Sequence, residues 1–158
     1  MSQQNLLLRA DQINAMTAEH KIHFLNPLAD RLSKSLGDAT GLKNIGVHLV
    51  TVEPGKESTE YHIHYYEEEC IYILSGRGLL ILNEEQYEVG PNDFIGLPVN
   101  TAAHNLINHS EENLVFLVMG QRLTQDVGDY PKQGKRLYRN SGHWDLVNIA
   151  DISDPKKK

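Results

Sequence analysis

The sequence predicts an all-β fold, an antiparallel barrel or sandwich of many short strands. From Ile45 onward apolar residues recur with period two, the signature of half-buried strands. Turn-forming clusters rich in Gly, Pro, Asn and Ser punctuate those runs every few residues. The length, 158 residues, suits a single domain with a core of its own.

Residues 1–42 are read as an N-terminal arm with a short helix. Asn26-Pro27 followed by Leu28, Leu32 and Leu36, then Gly37, fits a helix with Pro in its first turn and Gly at its end. Asp11 to Ala18 is a weaker helical candidate. Residues 43–122 form the barrel core. Its first strand runs from Ile45 to Thr51 and ends at the turn Glu53-Pro54-Gly55. Tyr61–His64, Glu69–Leu74, Leu79–Leu82, Gln86–Val89, Asp93–Leu97, His104–Ile107 and Leu114–Gln121 follow as strands. In the last of these Phe116 and Val118 are apolar between apolar neighbours, which implies cover on both faces. Residues 123–158 are expected to pack on the barrel, with strands at Lys135–Tyr138 and Trp144–Val147 and a disordered basic tail.

Composition narrows the function. The formal net charge of −6 argues against nucleic acid as a partner, since phosphate neutralisation needs a basic face. Cys70 is the single cysteine, so an intrachain disulfide and a cysteine-based zinc site are excluded and a reducing cytoplasm is expected. The run Leu6-Leu7-Leu8 is too short for a signal-peptide core or a membrane span.

The chemistry concentrates in Tyr61-His62-Ile63-His64-Tyr65-Tyr66-Glu67-Glu68-Glu69. Residues two apart on a strand share a face, so His62 and His64 project side by side with Ile63 opposite. Glu69 shares a face with Ile71 and Ile73, and a carboxylate buried among apolar residues requires a cation. His104 opens a later strand and shares a face with Leu106 and Asn108. A His-x-His pair alone is as compatible with two surface histidines as with a metal site.

The spacings around these residues resemble the paired motifs of the cupin superfamily. Four residues separate His64 from Glu69 and six separate Glu69 from Gly76, as in the first motif. Pro98, His104 and Asn108 follow the second, with one extra residue before His104 and Asn100 where the motif has Gly. Asn tolerates the left-handed conformation such a turn uses. The stretch from Gly41 to Pro54 and the run Asp126-Val127-Gly128-Asp129-Tyr130-Pro131 look like a group of small single-domain bacterial cupins. Some members of that group carry a provisional sugar-phosphate isomerase label. The resemblance implies a double-stranded β-helix, or jelly-roll, barrel with short flanking helical segments. It implies His62, His64, Glu69 and His104 as ligands of one divalent transition metal, with Mn, Fe, Co, Ni and Zn all compatible with that donor set. Glu67 and Glu68 are expected as neighbours of the site, not as ligands. Small cupins pair sheet to sheet, so a homodimer is expected.

Three functions fit. The first is a metal-dependent isomerase of a small sugar or sugar phosphate, with Glu69 and His48 as catalytic candidates that move a proton. The second is an Fe(II)-dependent dioxygenase of a small organic substrate. The third is a non-catalytic module that holds a small ligand. An isomerase of phosphates predicts Arg or Lys at the cavity mouth, and a dioxygenase predicts an apolar, water-poor cavity. Tyr61, Tyr66 and Arg122 are the candidate substrate contacts, although rim packing and a solvated surface are the commoner roles for such residues. His48 either lines the cavity or points outward, opposite a core-facing Ile45/Val47/Leu49 set. Lys135, Arg136 and Arg139 are further basic candidates. Cys70, opposite in facing to Glu69, is expected to be buried and inert.

Overall fold

The computed structural model describes residues 6–157. The first five residues of the expected arm and Lys158 of the expected tail lie outside them. In chain order the elements are α1 (Ala10–Ala15), β1 (Glu19–His23), β2 (Asn26–Ser35), α2 (Leu36–Thr40), β3 (Ile45–Val52), β4 (Ile63–His64), β5 (Glu69–Ser75) and β6 (Gly78–Leu82). They continue with β7 (Glu85–Val89), β8 (Phe94–Leu97), β9 (His104–Ile107), β10 (Leu114–Gln121), β11 (Gln125–Tyr130), β12 (Lys135–Asn140) and β13 (His143–Asn148).

One layer is a six-stranded sheet in the order β1-β2-β3-β10-β5-β8. The opposing layer consists of a four-stranded sheet, β13-β12-β11-β4, and a three-stranded sheet, β7-β6-β9. An isolated antiparallel bridge between His62 and His104 joins those two sheets. All strand pairs described are antiparallel, as the jelly-roll expectation requires. Between the layers Val50, Val52, Ile73, Leu106, Leu114 and Phe116 are almost fully buried and form the core.

The turns follow local residue chemistry. Asn83 and Glu84 both have positive φ, which makes the two-residue connection that a right-twisted β6–β7 hairpin prefers. Gly76 has φ +79°, and a Cβ there would stand 2.3 Å from the Asn113 carbonyl oxygen, so only glycine fits. Asn100 has φ +52°, so the residue that replaces the motif glycine does take the left-handed conformation. Asn108 is fully buried; its amide donates to the Val52 and Glu112 carbonyls and fixes the turn before β10.

The helix expected over Pro27–Leu36 is instead strand β2. The spacing of Leu28, Leu32 and Leu36 is four, which marks one face of a helix but equally one face of a strand. Pairing with β1 and β3 decides the matter, with Leu32 opposite both His20 and Thr51. Alternation then turns Ala29, Arg31 and Ser33 inward, with Ala29 and Ser33 buried. Only Leu36–Thr40 is helical, and Gly41 ends that turn at φ +84°. On β3 the inward set is Gly46, His48, Val50 and Val52, so Ile45, Val47 and Leu49 face outward, the reverse of the core-facing set considered above. Cys70 sits half-buried on the outer face, not enclosed between layers.

Candidate metal centre and cavity

β4 and the bridge residue beside it carry His62 and His64, β5 opens with Glu69, and β9 opens with His104. The edges of the two layers meet at this point. The side-chain ligand atoms of His62, His64 and Glu69 all lie within 4.8 Å of one another. His104 Nε2 stands 3.5 Å from Glu69 Oε1, and its ring centroid lies 4.4 Å from that of His62.

Each imidazole is anchored by its far nitrogen. Nδ1 of His62 donates to the Glu60 carbonyl at 2.9 Å, Nδ1 of His104 to the Ala102 carbonyl at 3.2 Å, and Nδ1 of His64 to Asp126 Oδ2 at 2.6 Å. These acceptors place the proton on Nδ1 and leave Nε2 as the lone pair facing the centre, the arrangement that metal-binding histidines use. The Nε2 atoms of His62 and His64 approach to 3.1 Å, so a proton or a metal cation must lie between the two nitrogens. A single proton on His64 would serve that pair. It would still leave His104 Nε2, which is buried without a hydrogen-bond partner among the described residues. A divalent ion satisfies all three nitrogens, so the residues present fit the metal.

The electrostatics agree. Burial, with His104 and His64 nearby, holds His62 well below its ordinary pKa, so it is neutral. Burial alone would raise the Glu69 carboxyl, but His104, His62 and His64 bring it down to about 2, so it is ionised. Burial opposes charge on His64 as well, yet Asp126, Glu69 and Glu67 raise its pKa. Asp126 is buried, and beyond His64 it accepts from the Tyr66 backbone N–H at 3.1 Å. Asp126→Asn keeps the shape but weakens the acceptor that orients His64. Metal affinity should fall about 10- to 100-fold in a competitive chelator titration, and an unchanged affinity would show that Asp126 does not orient the ligand.

Beside the centre lies a cavity of about 420 Å³. A row of paired residues, Gly46, Gly120 and Glu69, crosses the six-stranded sheet at its floor. With no side chain at Gly120, the space in front of the Glu69 carboxylate stays open, since a Cβ there would lie 3.8 Å from Glu69 Oε2. Gly46 lies beneath the Arg122 and His48 side chains, 3.1 and 3.2 Å from where its Cβ would be. His48 lies next to this floor and lines the cavity, as does Arg122, which is paired with Asp38. Neither ring nitrogen of His48 has a hydrogen-bond partner among the described residues, and its Nδ1 is buried. Burial, then Lys21 and Arg122, lower its pKa, so it is a neutral base near neutrality.

Several candidates lie elsewhere. Tyr61 is buried on the Ile63 face, against Ile81 and Ala103, and not on the cavity wall. Strand alternation requires this, because Tyr61 cannot share a face with His62. Tyr66 points to solvent and does not line the cavity either. Lys135 and Arg136 are also off its wall; Arg136 pairs with Asp129. Glu67 is buried and committed to Arg139 and the Leu123 N–H, while Glu68 is exposed at the cavity edge.

The sequence reading did not anticipate much of the wall. Arg31 and Ser33 come from β2, Asp126 and Tyr130 from β11 and Trp144 from β13, whereas Arg139 on β12, one of the basic candidates, does line the wall. The period-two spacing of Asp126, Gly128 and Tyr130 was the available signal on β11, and its lack of apolar residues concealed it.

Comparison with known proteins agrees with the fold. A family profile described as "Cupin domain" matches residues 48–120. The crystal structure of a "Putative sugar phosphate isomerase" from Acidithiobacillus ferrooxidans is 57% identical, with a TM-score of 0.94 over 97% of this chain and 98% of that one. A structure from Silicibacter pomeroyi, described as a sugar phosphate isomerase from a cupin superfamily, has a TM-score of 0.81 over 96% of this chain and 98% of that one; at 24% identity it supports the fold alone. An uncharacterized protein of Methanocaldococcus jannaschii is 44% identical over 50 residues, which span 32% of this chain and 40% of that protein.

Proposed function

Because this chain belongs to the cupin superfamily, we propose that it is a metal-dependent isomerase acting on a small sugar or sugar phosphate. The observation that carries the reading is the grouping of three Nδ1-anchored imidazoles and the ionised Glu69 at one edge of the cavity. His62, His64, Glu69 and His104 would hold the ion. A divalent metal there supplies Lewis-acid polarisation of a substrate carbonyl or hydroxyl oxygen. Across the glycine floor, His48 accepts and returns the proton that moves between adjacent carbons. Glu69 fixes the local charge and orients the ligand edge of the cavity.

The cations on the cavity wall, Lys21, Arg31, Arg122 and Arg139, support an anionic substrate, on a wall that also carries Glu67, Glu68 and Asp126 and an apolar portion with Phe24, Val50, Phe116 and Trp144. The sheet-to-sheet homodimer and the cytoplasmic location belong to the same proposal. The half-buried outer-face residues Val115, Leu117 and Met119 support the first. Among the described residues no helix is long and apolar enough to cross a membrane.

The test loads the protein separately with Mn, Fe, Co, Ni and Zn and presents a panel of aldoses, ketoses and their phosphates, read by NMR. Interconversion with at least one metal, lost in His104→Ala, is the expected result. Full metal loading without turnover on any member of the panel overturns it, and oxygen uptake with the ferrous form moves the protein to the dioxygenase class.

A further inference from the structure

Four basic residues line the cavity, and three of them are already paired. Asp38 holds Arg122, Glu67 holds Arg139, and Glu19 holds Lys21. Arg31 differs. Its one protein acceptor among the described residues is the Ser58 carbonyl, and no carboxylate pairs with it. A guanidinium presents five N–H donors, so most of this set is left for the cavity. Ser33 follows on the same face of β2, lines the same wall, and its hydroxyl donates to nothing among the described residues. Tyr130 reaches the wall from β11, with its ring edge-on to His23 at 5.2 Å. Its hydroxyl also lacks a partner among the described residues.

We infer that Arg31, Ser33 and Tyr130 form a phosphate-binding end of the cavity, so that the substrate is a phosphate monoester. The inference rests on the cavity being the substrate site proposed above, and it adds the recognition element. A planar guanidinium fork with two hydroxyl donors matches a tetrahedral dianion, which has acceptor oxygens enough for all of them. Burial pushes the Tyr130 phenol up to about 12, so it remains a donor at neutral pH. Burial lowers the Arg31 pKa, and the negative charge of Glu69 counters this, so the guanidinium keeps its charge. Lys21 stands further along the same wall and adds positive potential at long range. With the phosphate on β2, the rest of the molecule lies over Gly120, between Glu69 and His48.

Calorimetric titration with inorganic phosphate tests this without requiring turnover. The full-length protein should bind phosphate saturably, and Arg31→Met should weaken binding tenfold or more, with Arg31→Lys intermediate. Ser33→Ala removes only an unpartnered hydroxyl, leaves the Arg31–Ser58 contact intact and should cost about threefold to tenfold. It decides the matter if Arg31→Met does not fold. Binding should persist within a few-fold in the His62→Ala/His104→Ala variant. Wild-type affinity in both Arg31→Met and Ser33→Ala overturns the inference. So does phosphate binding that disappears with the metal ligands but ignores Arg31, which would place the anion on the ion. Tighter Arg31-dependent binding of malonate than of phosphate overturns it too, by assigning this end to a carboxylate. Arg31-dependent phosphate binding without isomerase turnover would sink the proposed reaction and leave the recognition site standing.

Discussion

Purified without a histidine tag, the protein should carry close to one divalent transition ion per chain, and His62→Ala/His104→Ala should lose nearly all of it. The double substitution removes two of the three imidazoles and leaves His64 and Glu69, too few donors to retain an ion against a competing chelator. Each single variant should lose most of the metal, because His62, His64 and Glu69 hold their ligand atoms within 4.8 Å of one another and His104 Nε2 stands 3.5 Å from Glu69 Oε1, so each substitution removes one donor from a small set. His104 is 3% exposed, so its truncation also opens a small void beside Leu97 and Ala102. Circular dichroism and a thermal melt of the double variant separate loss of ligands from loss of fold. Full occupancy, read by elemental analysis, in a folded double variant would sink the ligand assignment. Occupancy that survives there but falls in Asp126→Asn would shift the ion to the neighbouring group His64, Glu67 and Asp126.

The candidate ligand set came from spacings that resemble the cupin motifs, and strand alternation by itself placed only parts of it. His62 and His64 share a face by alternation, and Glu69 shares one with Ile71 and Ile73. Asn100 takes the left-handed conformation in the turn before His104, where the motif has Gly, and Asn108 anchors the far end. The cavity facing the metal was less legible, for two physical reasons. Its walls come from β2, β11 and β12, which lie far from the motifs in the chain and meet them only through sheet pairing. In β2 a leucine spacing of four satisfied both periods, so Arg31 was assigned to a helix in an arm and not to the inner face of a strand. Tyr61 is the opposite case, since alternation had already placed it with Ile63, away from the histidines. Its chemistry suggested a ligand contact that its position on the strand forbids.

His48→Gln should lower isomerase turnover by about 10²- to 10⁴-fold while leaving metal content unchanged. Gln keeps much of the volume and a hydrogen-bonding end but cannot accept a proton near neutral pH. His48 has no contact with His62, His64 or His104 among the described hydrogen bonds, so the ion should stay in place. The acid side of the pH profile makes the role specific. Activity needs neutral imidazole, and burial with Lys21 and Arg122 lowers the pKa below the ordinary value of 6.5. Turnover at constant metal content should therefore hold its plateau below pH 6.5 and fall only as pH drops through the lowered pKa. Substituting Lys21 or Arg122 with neutral residues removes charges that oppose protonation, so either change should move that limb back toward higher pH. In His48→Gln the limb should vanish from the residual activity. A variant that keeps wild-type turnover, or one that loses activity yet retains the same acid limb, would assign the proton to a different group on the wall.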